Sequence, residues 1–223
     1  MIGQGISEVM TFAIGVAISP LAIIALILML FSPRARVNGP LFLLGWIIGL
    51  GALSAVVYAL TNASDAATDS GASDTTSTIK VVLGAVLLAM ALRHWRHRNR
   101  PAPQPKWMQS IESITPVRAF AIALLLAVVN PKNLILTAGA AAGVGQLDID
   151  TSAAVVSIVV FVAIASVSIA APVFLFLLGG ERARAQLDEL KDWLGRNNAT
   201  VMSVLLLVFG VVLISKGLGL LST

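Results

Sequence analysis

The residues with the greatest chemical potential are four in a row, Asn130-Pro131-Lys132-Asn133, set in a stretch from Ala119 to Leu147 that is otherwise uncharged. An ammonium is a compact donor and a counter-ion for sulfate, phosphate or carboxylate, and the flanking carboxamides add neutral donors and acceptors. A Lys at the centre of a hydrocarbon layer costs about 2.5–3.5 kcal/mol on insertion scales, so something must compensate for it. Asn130 and Asn133 share a helical face at i, i+3, whereas an unbroken helix turns Lys132 away from them; unwinding at Pro131 brings all three towards one cavity. A smaller constellation, Ser19-Pro20, lies 111 residues earlier. Each Pro lacks an N–H and leaves a carbonyl about one turn before it without its partner. Two readings follow for Lys132. Either it pairs with an anionic ligand in a cavity, with Ser19 and the carbonyls around Pro20 as one wall and Asn130, Lys132 and Asn133 as the other, or it satisfies carbonyls freed in the first break.

Other reactive side chains point to less. Arg93, Arg96, Arg98 and Arg100 surround His94 and His97. With no nearby carboxylate this is a polybasic patch that contacts anionic lipid head groups or serves orientation alone, and no metal site is expected. Asp65, Asp69 and Asp74 lie among Ser, Thr, Ala and Gly and read as a solvated loop. Ser157, Ser166 and Ser168 are expected to bond helix backbones, with a lining role as the alternative. The chain has no Cys, which excludes disulfides and thiol redox chemistry. It also lacks a Gly-x-Ser-x-Gly elbow and a phosphate-binding Gly-x-x-x-x-Gly-Lys loop, so neither an enzyme nor direct use of ATP is expected, and no cofactor.

The elements that carry these residues are membrane spans. The composition is 57% apolar and 12% charged with a mean hydropathy of +0.92, more apolar surface than a soluble fold can hide. Charges are absent from 9–33, 37–64, 81–92, 151–180 and 197–215. A span needs about 20 apolar residues, and the short third stretch reaches that length if Lys80 snorkels and Trp95 sits at the opposite interface. Six transmembrane helices are expected, at about 9–31, 39–61, 77–96, 118–144, 152–179 and 198–219. Of the 15 Lys and Arg, 12 fall in the first, third and fifth connections, which places those connections in the cytoplasm and both termini outside. A pI near 10.0 therefore reflects orientation rather than nucleic-acid binding. The first eleven residues include Glu8 and no basic residue, unlike a cleavable signal peptide, so the first span is expected to be retained. No carboxylate is expected inside a span, and Lys80 and Lys216 are placed near outer helix ends.

The 111-residue offset of the two breaks is half the chain, and three helices per half would invert the second half against the first. The expected architecture is an all-α membrane protein of two inverted three-helix repeats, 1–105 and 106–223, with broken first and fourth helices. Gly45 with Gly49, and Gly139 with Gly143, form GxxxG pairs that read as close packing within the chain. Two amphipathic segments, 106–117 around Trp107, Met108, Ile111 and Ile114, and 181–195 around Ala183, Leu187, Leu190, Trp193 and Leu194, are expected at the cytoplasmic interface.

Ile18-Ser19-Pro20-Leu21, Ser32-Pro33-Arg34-Ala35-Arg36, Gly45-Trp46 and Asn130-Pro131-Lys132-Asn133 together resemble the bacterial sulfolipid-addressing and glycopeptidolipid-addressing (GAP) proteins, within the lysine-exporter (LysE) superfamily. The likeness extends over essentially the whole chain. The Asn-Pro-Lys element is also similar to that of the amino-acid exporters of that superfamily, but Ser19-Pro20-Leu21 stands where those usually have Pro-Gly-Pro, which favours the lipid-associated branch. The resemblance implies an inner-membrane secondary exporter that moves, or helps move, a polar or anionic (glyco)lipid towards the envelope. Its partners would be membrane lipids and the transported lipid, with a larger lipid exporter or a second copy of the chain as further candidates. Two alternatives remain at this level: a non-transporting scaffold of a larger lipid-export complex, or an exporter of an amino acid or other small solute.

Overall fold

In the computed structural model, residues 2–67, 72–98 and 114–220 are described, the side chains of 64–67, 72–76, 79 and 181 excepted. The elements are α1 (Ile2–Ala17), α2 (Pro20–Leu30), α3 (Ala35–Ala67), α4 (Ala72–Arg96), α5 (Pro116–Val128), α6 (Pro131–Gly145) and α7 (Thr151–Gly217). No strand occurs among the described residues. Three helical stretches are long and apolar enough to cross a membrane: Ala35–Ala63, Thr151–Gly180 and Arg182–Gly217. Two bent pairs pass the same test together, α1 with α2 at 55° and α5 with α6 at 65°, giving up to five spans among the described residues. The chain is thus an all-α, multi-pass membrane protein. The expected third span falls on α4, which is not among the described stretches that pass this test and whose side chains are described only in part.

The first break interrupts its helix pair where expected, but the pair begins at Ile2 rather than near residue 9. Glu8 marked the expected boundary because it is charged; inside α1 it is buried against Lys216, and that partner lets the helix run on. The last connection also differs from expectation. α7 is divided by Gly180, whose φ of 58° and ψ of −142° fit glycine far better than any residue with a side chain. Beyond it the segment 181–195 continues without interruption into the last span. On that segment Ala183, Leu187 and Leu194 are buried while Leu190 and Trp193 are exposed. Of the other amphipathic segment, Trp107, Met108 and Ile111 lie outside the described residues, and Ile114 is buried with its carbonyl accepting from Asn38 at 3.3 Å.

Lipid tails provide little hydrophobic drive between helices, so close backbone approach has to hold the bundle. Small residues supply it. A Cβ on Gly45 would stand 2.4 Å from the Phe120 carbonyl oxygen, and one on Gly49 3.0 Å from Ala127 Cβ, so the first GxxxG seats α3 on α5. Gly139 faces Phe12 and Gly143 faces Glu8, seating α6 on α1. Gly84 and Gly210 bring α4 against the second arm of α7 in the same way. α1 is enclosed by α6 and by both arms of α7, contacting Ser157 through Gly5 and Phe209 through Gly15. Trp46, wholly buried, ties α3 to α7 by an indole N–H donated to the Ala165 carbonyl at 3.3 Å. Asp150 caps α7; the hydroxyl of Ser152 and the Ala153 N–H both donate to its carboxyl and hold it below the usual carboxylate range.

Candidate functional site

Both Pro residues start helices rather than kink them. Pro20 opens α2 after Ser19, and Pro131 opens α6 after Asn130, positions where a missing N–H costs nothing. The half-helices that precede them, α1 and α5, end with carbonyls that no longer find N–H groups along their own axis. Those carbonyls are the chemistry of the site.

Lys132 points from the first turn of α6 at the end of α1. Its Nζ donates to the Gly15 carbonyl at 2.6 Å and to the Ile18 carbonyl at 2.8 Å. The Ala17 carbonyl between them accepts from the Ser19 N–H at 2.9 Å and from the Ser168 hydroxyl on α7. An ammonium at a helix C-terminus also meets the negative end of the helix dipole, which offsets part of the burial cost. Asn133, the next residue on α6, turns to the other broken helix. Its Nδ2 donates to the Leu126 carbonyl near the end of α5 at 3.1 Å and makes a longer contact, 3.4 Å, to Ser19 Oγ. One turn of α6 therefore holds the ends of both interrupted half-helices. Gly15 is what lets α6 and α7 come this near, since a Cβ there would meet Phe209 at 2.5 Å and Leu136 at 2.8 Å.

Of the six residues singled out at the breaks, Ser19, Lys132 and Asn133 come together, all of them buried, with Pro20 buried beside Ser19. Asn130 and Pro131 do not join them. Asn130 is half-buried and its Oδ1 accepts from the Lys132 backbone N–H at 3.1 Å as a helix cap, while Pro131 is exposed. Lys132 is wholly buried, so in this conformation its ammonium is closed off from solvent. Polar atoms on the same face of α6 remain without a hydrogen-bond partner: Asn133 Oδ1 and, one turn further, Thr137 Oγ1. Thr137 was not singled out from the sequence, where a lone Thr in an apolar helix carries no signal.

The three serines of α7 divide. Ser157 bonds its own helix at the Ala153 carbonyl, Ser168 reaches α1, and Ser166 Oγ is buried without a partner. Arg93, Arg96 and Arg98 lie exposed at and beyond the end of α4, where Arg98 stacks over Trp95 at 4.1 Å and donates to its carbonyl at 2.9 Å; Arg100 lies outside the described residues. Beside Trp95 a groove of about 470 Å³ runs between α4 and the second arm of α7, lined by Leu88, Ala91, Leu92, Val204 and Leu207.

A bundle of apolar helices in which a buried ammonium and a carboxamide hold two facing chain breaks defines a multi-pass membrane protein with a polar junction in its interior. Its sequence carries the identification further. The family model described as Sap, sulfolipid-1-addressing protein, matches residues 9–219, and the chain belongs to that family. No curated protein and no solved structure matches the chain.

Proposed function

We propose that the chain is a six-span, inverted-repeat secondary exporter of the bacterial inner membrane that moves, or helps move, a polar or anionic (glyco)lipid towards the envelope, by alternating access around the paired breaks. The family supports a membrane protein involved in addressing sulfolipid, and the LysE superfamily is compatible with that. The observation that carries the transport reading is Lys132, a fully buried ammonium whose two partners are neutral carbonyls of a different half-helix. An anionic head group would replace these neutral acceptors with an oppositely charged one, giving the ammonium an ion pair. The closed geometry is then the resting side of the cycle, and separation of α1 from α6 exposes the ammonium. The positive ends of α2 and α6, both beginning at the junction, add to the attraction for an anion.

A second reading rests on the same two bonds. If Lys132 only ties up the Gly15 and Ile18 carbonyls, it is a structural tie and the protein is a scaffold. Lys132→Met separates the two, because it keeps most of the stem and removes the charge. Hydrogen bonds to charged groups contribute about 1.5–3 kcal/mol, so transport predicts that surface appearance of the lipid falls roughly ten- to a hundredfold at unchanged protein abundance. Lys132→Arg keeps the charge in a planar fork and should retain part of the activity. Normal export by Lys132→Met at normal abundance refutes the anion site, and loss of the protein itself assigns Lys132 to the structural tie.

A further inference from the structure

α4 and the second arm of α7 touch along one stretch and stand apart along the next. A Cβ on Gly84 would lie 2.7 Å from the Gly210 carbonyl oxygen, and one on Gly217 2.8 Å from that of Ser77, so the two backbones are in contact there. Beyond Leu88 neither helix has a glycine to continue the approach, and the groove of about 470 Å³ opens between Leu88, Ala91, Leu92 and Trp95 on one side and Ser203, Val204 and Leu207 on the other. The α4 residues recur at i, i+3, i+4 and i+7, one face of the helix over about 10 Å. Leu92, Trp95, Val204 and Leu207 are exposed. Ser203 is committed to the Ala199 carbonyl at 2.7 Å, so the wall offers water no free side-chain partner. The rim is different. The Arg98 guanidinium lies over the Trp95 ring and spends one N–H on the Trp95 carbonyl, which leaves its other donors free. Arg96 follows Leu92 by one turn, and Arg196 precedes Ser203 by two turns on the same face of α7. All three Arg are exposed, and none forms an ion pair among the described residues. The nearest carboxylate on that face of α7, Asp192, lies a further turn away and is paired with Lys191 at 3.5 Å.

We propose that this groove binds an anionic diacyl phospholipid of the surrounding bilayer, with one acyl chain between α4 and the second arm of α7 and the phosphate held by Arg98 and Arg96. Bilayer chains cover any apolar wall on a membrane helix; the guanidinium fixed over Trp95 is what makes this one selective for the head group. Its planar fork matches a phosphate through two parallel N–H···O bonds. A zwitterionic choline head group would bring a cation of its own to a rim that is already basic, whereas an anionic one neutralises it. A second copy of the chain fits the rim less well, because an isologous contact here would set the two Arg clusters against each other. With a chain in place, the packing that Gly84 and Gly210 begin continues to the end of α4. The groove belongs to α4 and α7, apart from the breaks that Lys132 and Asn133 hold, so the proposal does not depend on the export reading.

Trp46 is wholly buried, so in the full chain carrying Trp107→Phe and Trp193→Phe, contact quenching by a brominated acyl chain reports on Trp95. The protein is reconstituted in phosphatidylcholine vesicles that contain the same fraction of either brominated phosphatidylglycerol or brominated phosphatidylcholine, with no transported lipid. Trp95 is expected to prefer the brominated phosphatidylglycerol by about fivefold at low salt, and less as salt screens the head group. R96Q/R98Q should bring the two lipids to equal quenching. R34Q/R36Q removes two exposed Arg where α2 gives way to α3 and should leave the preference intact. Comparing the two lipids within each variant cancels any change in Trp95 emission when Arg98 leaves its ring. Equal quenching by both lipids in the parent overturns the proposal. So does a preference that R96Q/R98Q retains or that R34Q/R36Q also abolishes, since either assigns it to general surface charge. Failure of both lipids to quench Trp95 overturns it as well, because protein then fills the groove.

Discussion

Asn133 and Asn130 are the same residue type three positions apart, yet the fold gives them unrelated tasks. Asn133 satisfies the Leu126 carbonyl and touches Ser19, whereas Asn130 caps the helix that carries Lys132. Asn133→Leu has similar bulk and no donor, so it removes the bond to the part-buried Leu126 carbonyl and should lower stability by about 0.5–1.5 kcal/mol. Asn130→Ser keeps an N-cap acceptor and should be close to neutral, while Asn130→Ala should cost about 1 kcal/mol. Thermal unfolding of the purified protein in detergent, set beside surface lipid in cells, measures both. Equal effects of Asn130→Ser and Asn133→Leu would contradict this division of roles. The difference was not legible in the sequence, where both amides shared a face with equal claims on the site. What distinguishes them is that the helix restarts at Pro131, which leaves Asn130 outside the helix as its cap and Asn133 within the first turn.

At the scale of elements, two GxxxG pairs and two broken helices were readable because small-residue spacing and Pro position are local properties. The partners of those features were not. Nothing in the spacing of Gly45 shows that it abuts the Phe120 carbonyl, or in Gly143 that it abuts Glu8. The first span was read as starting beyond Glu8 for a similar reason, since a charge in sequence looks like a boundary until its partner, 208 residues away, is in view. The close approach of α3 to α5 yields a direct test. Gly45→Ala must push a Cβ into backbone 2.4 Å away, and should destabilise the protein by about 1–3 kcal/mol. Gly51→Ala lies on the same helix with open space around it and should be neutral or slightly stabilising. If the two substitutions shift the unfolding temperature alike, the α3–α5 seat is not where the fold puts it.

For the whole molecule, the sequence conveyed an all-helical membrane chain because hydropathy and charge are summed properties that survive ignorance of packing. Orientation is the part of that reading that rests on basic residues alone, with 12 of 15 in alternate connections. Single cysteines at Ser70 and Ser110, both in connections outside the described residues, report it. An impermeant maleimide applied to intact cells should label the first and spare the second, and the reverse pattern would invert the assignment. Packing between the halves was beyond reach of sequence, since α7 contributes Ser168 to the first break and Lys216 to Glu8 from opposite arms around Gly180.

Access to the junction tests the central claim most directly. Ser19 is almost wholly buried beside Asn133 and the carbonyls that hold Lys132. A protein that alternates around this point must admit water to it from each side in turn. Ser19→Cys would be exposed to a small charged methanethiosulfonate in right-side-out and in inside-out vesicles, with lipid export followed in the same strain. The account predicts labelling from both sides, slowed when the vesicles are loaded with the polar anionic lipids of the host. A Ser19→Cys protein that exports normally yet is never labelled from either side would show that lipid moves without the junction opening, and would contradict the account.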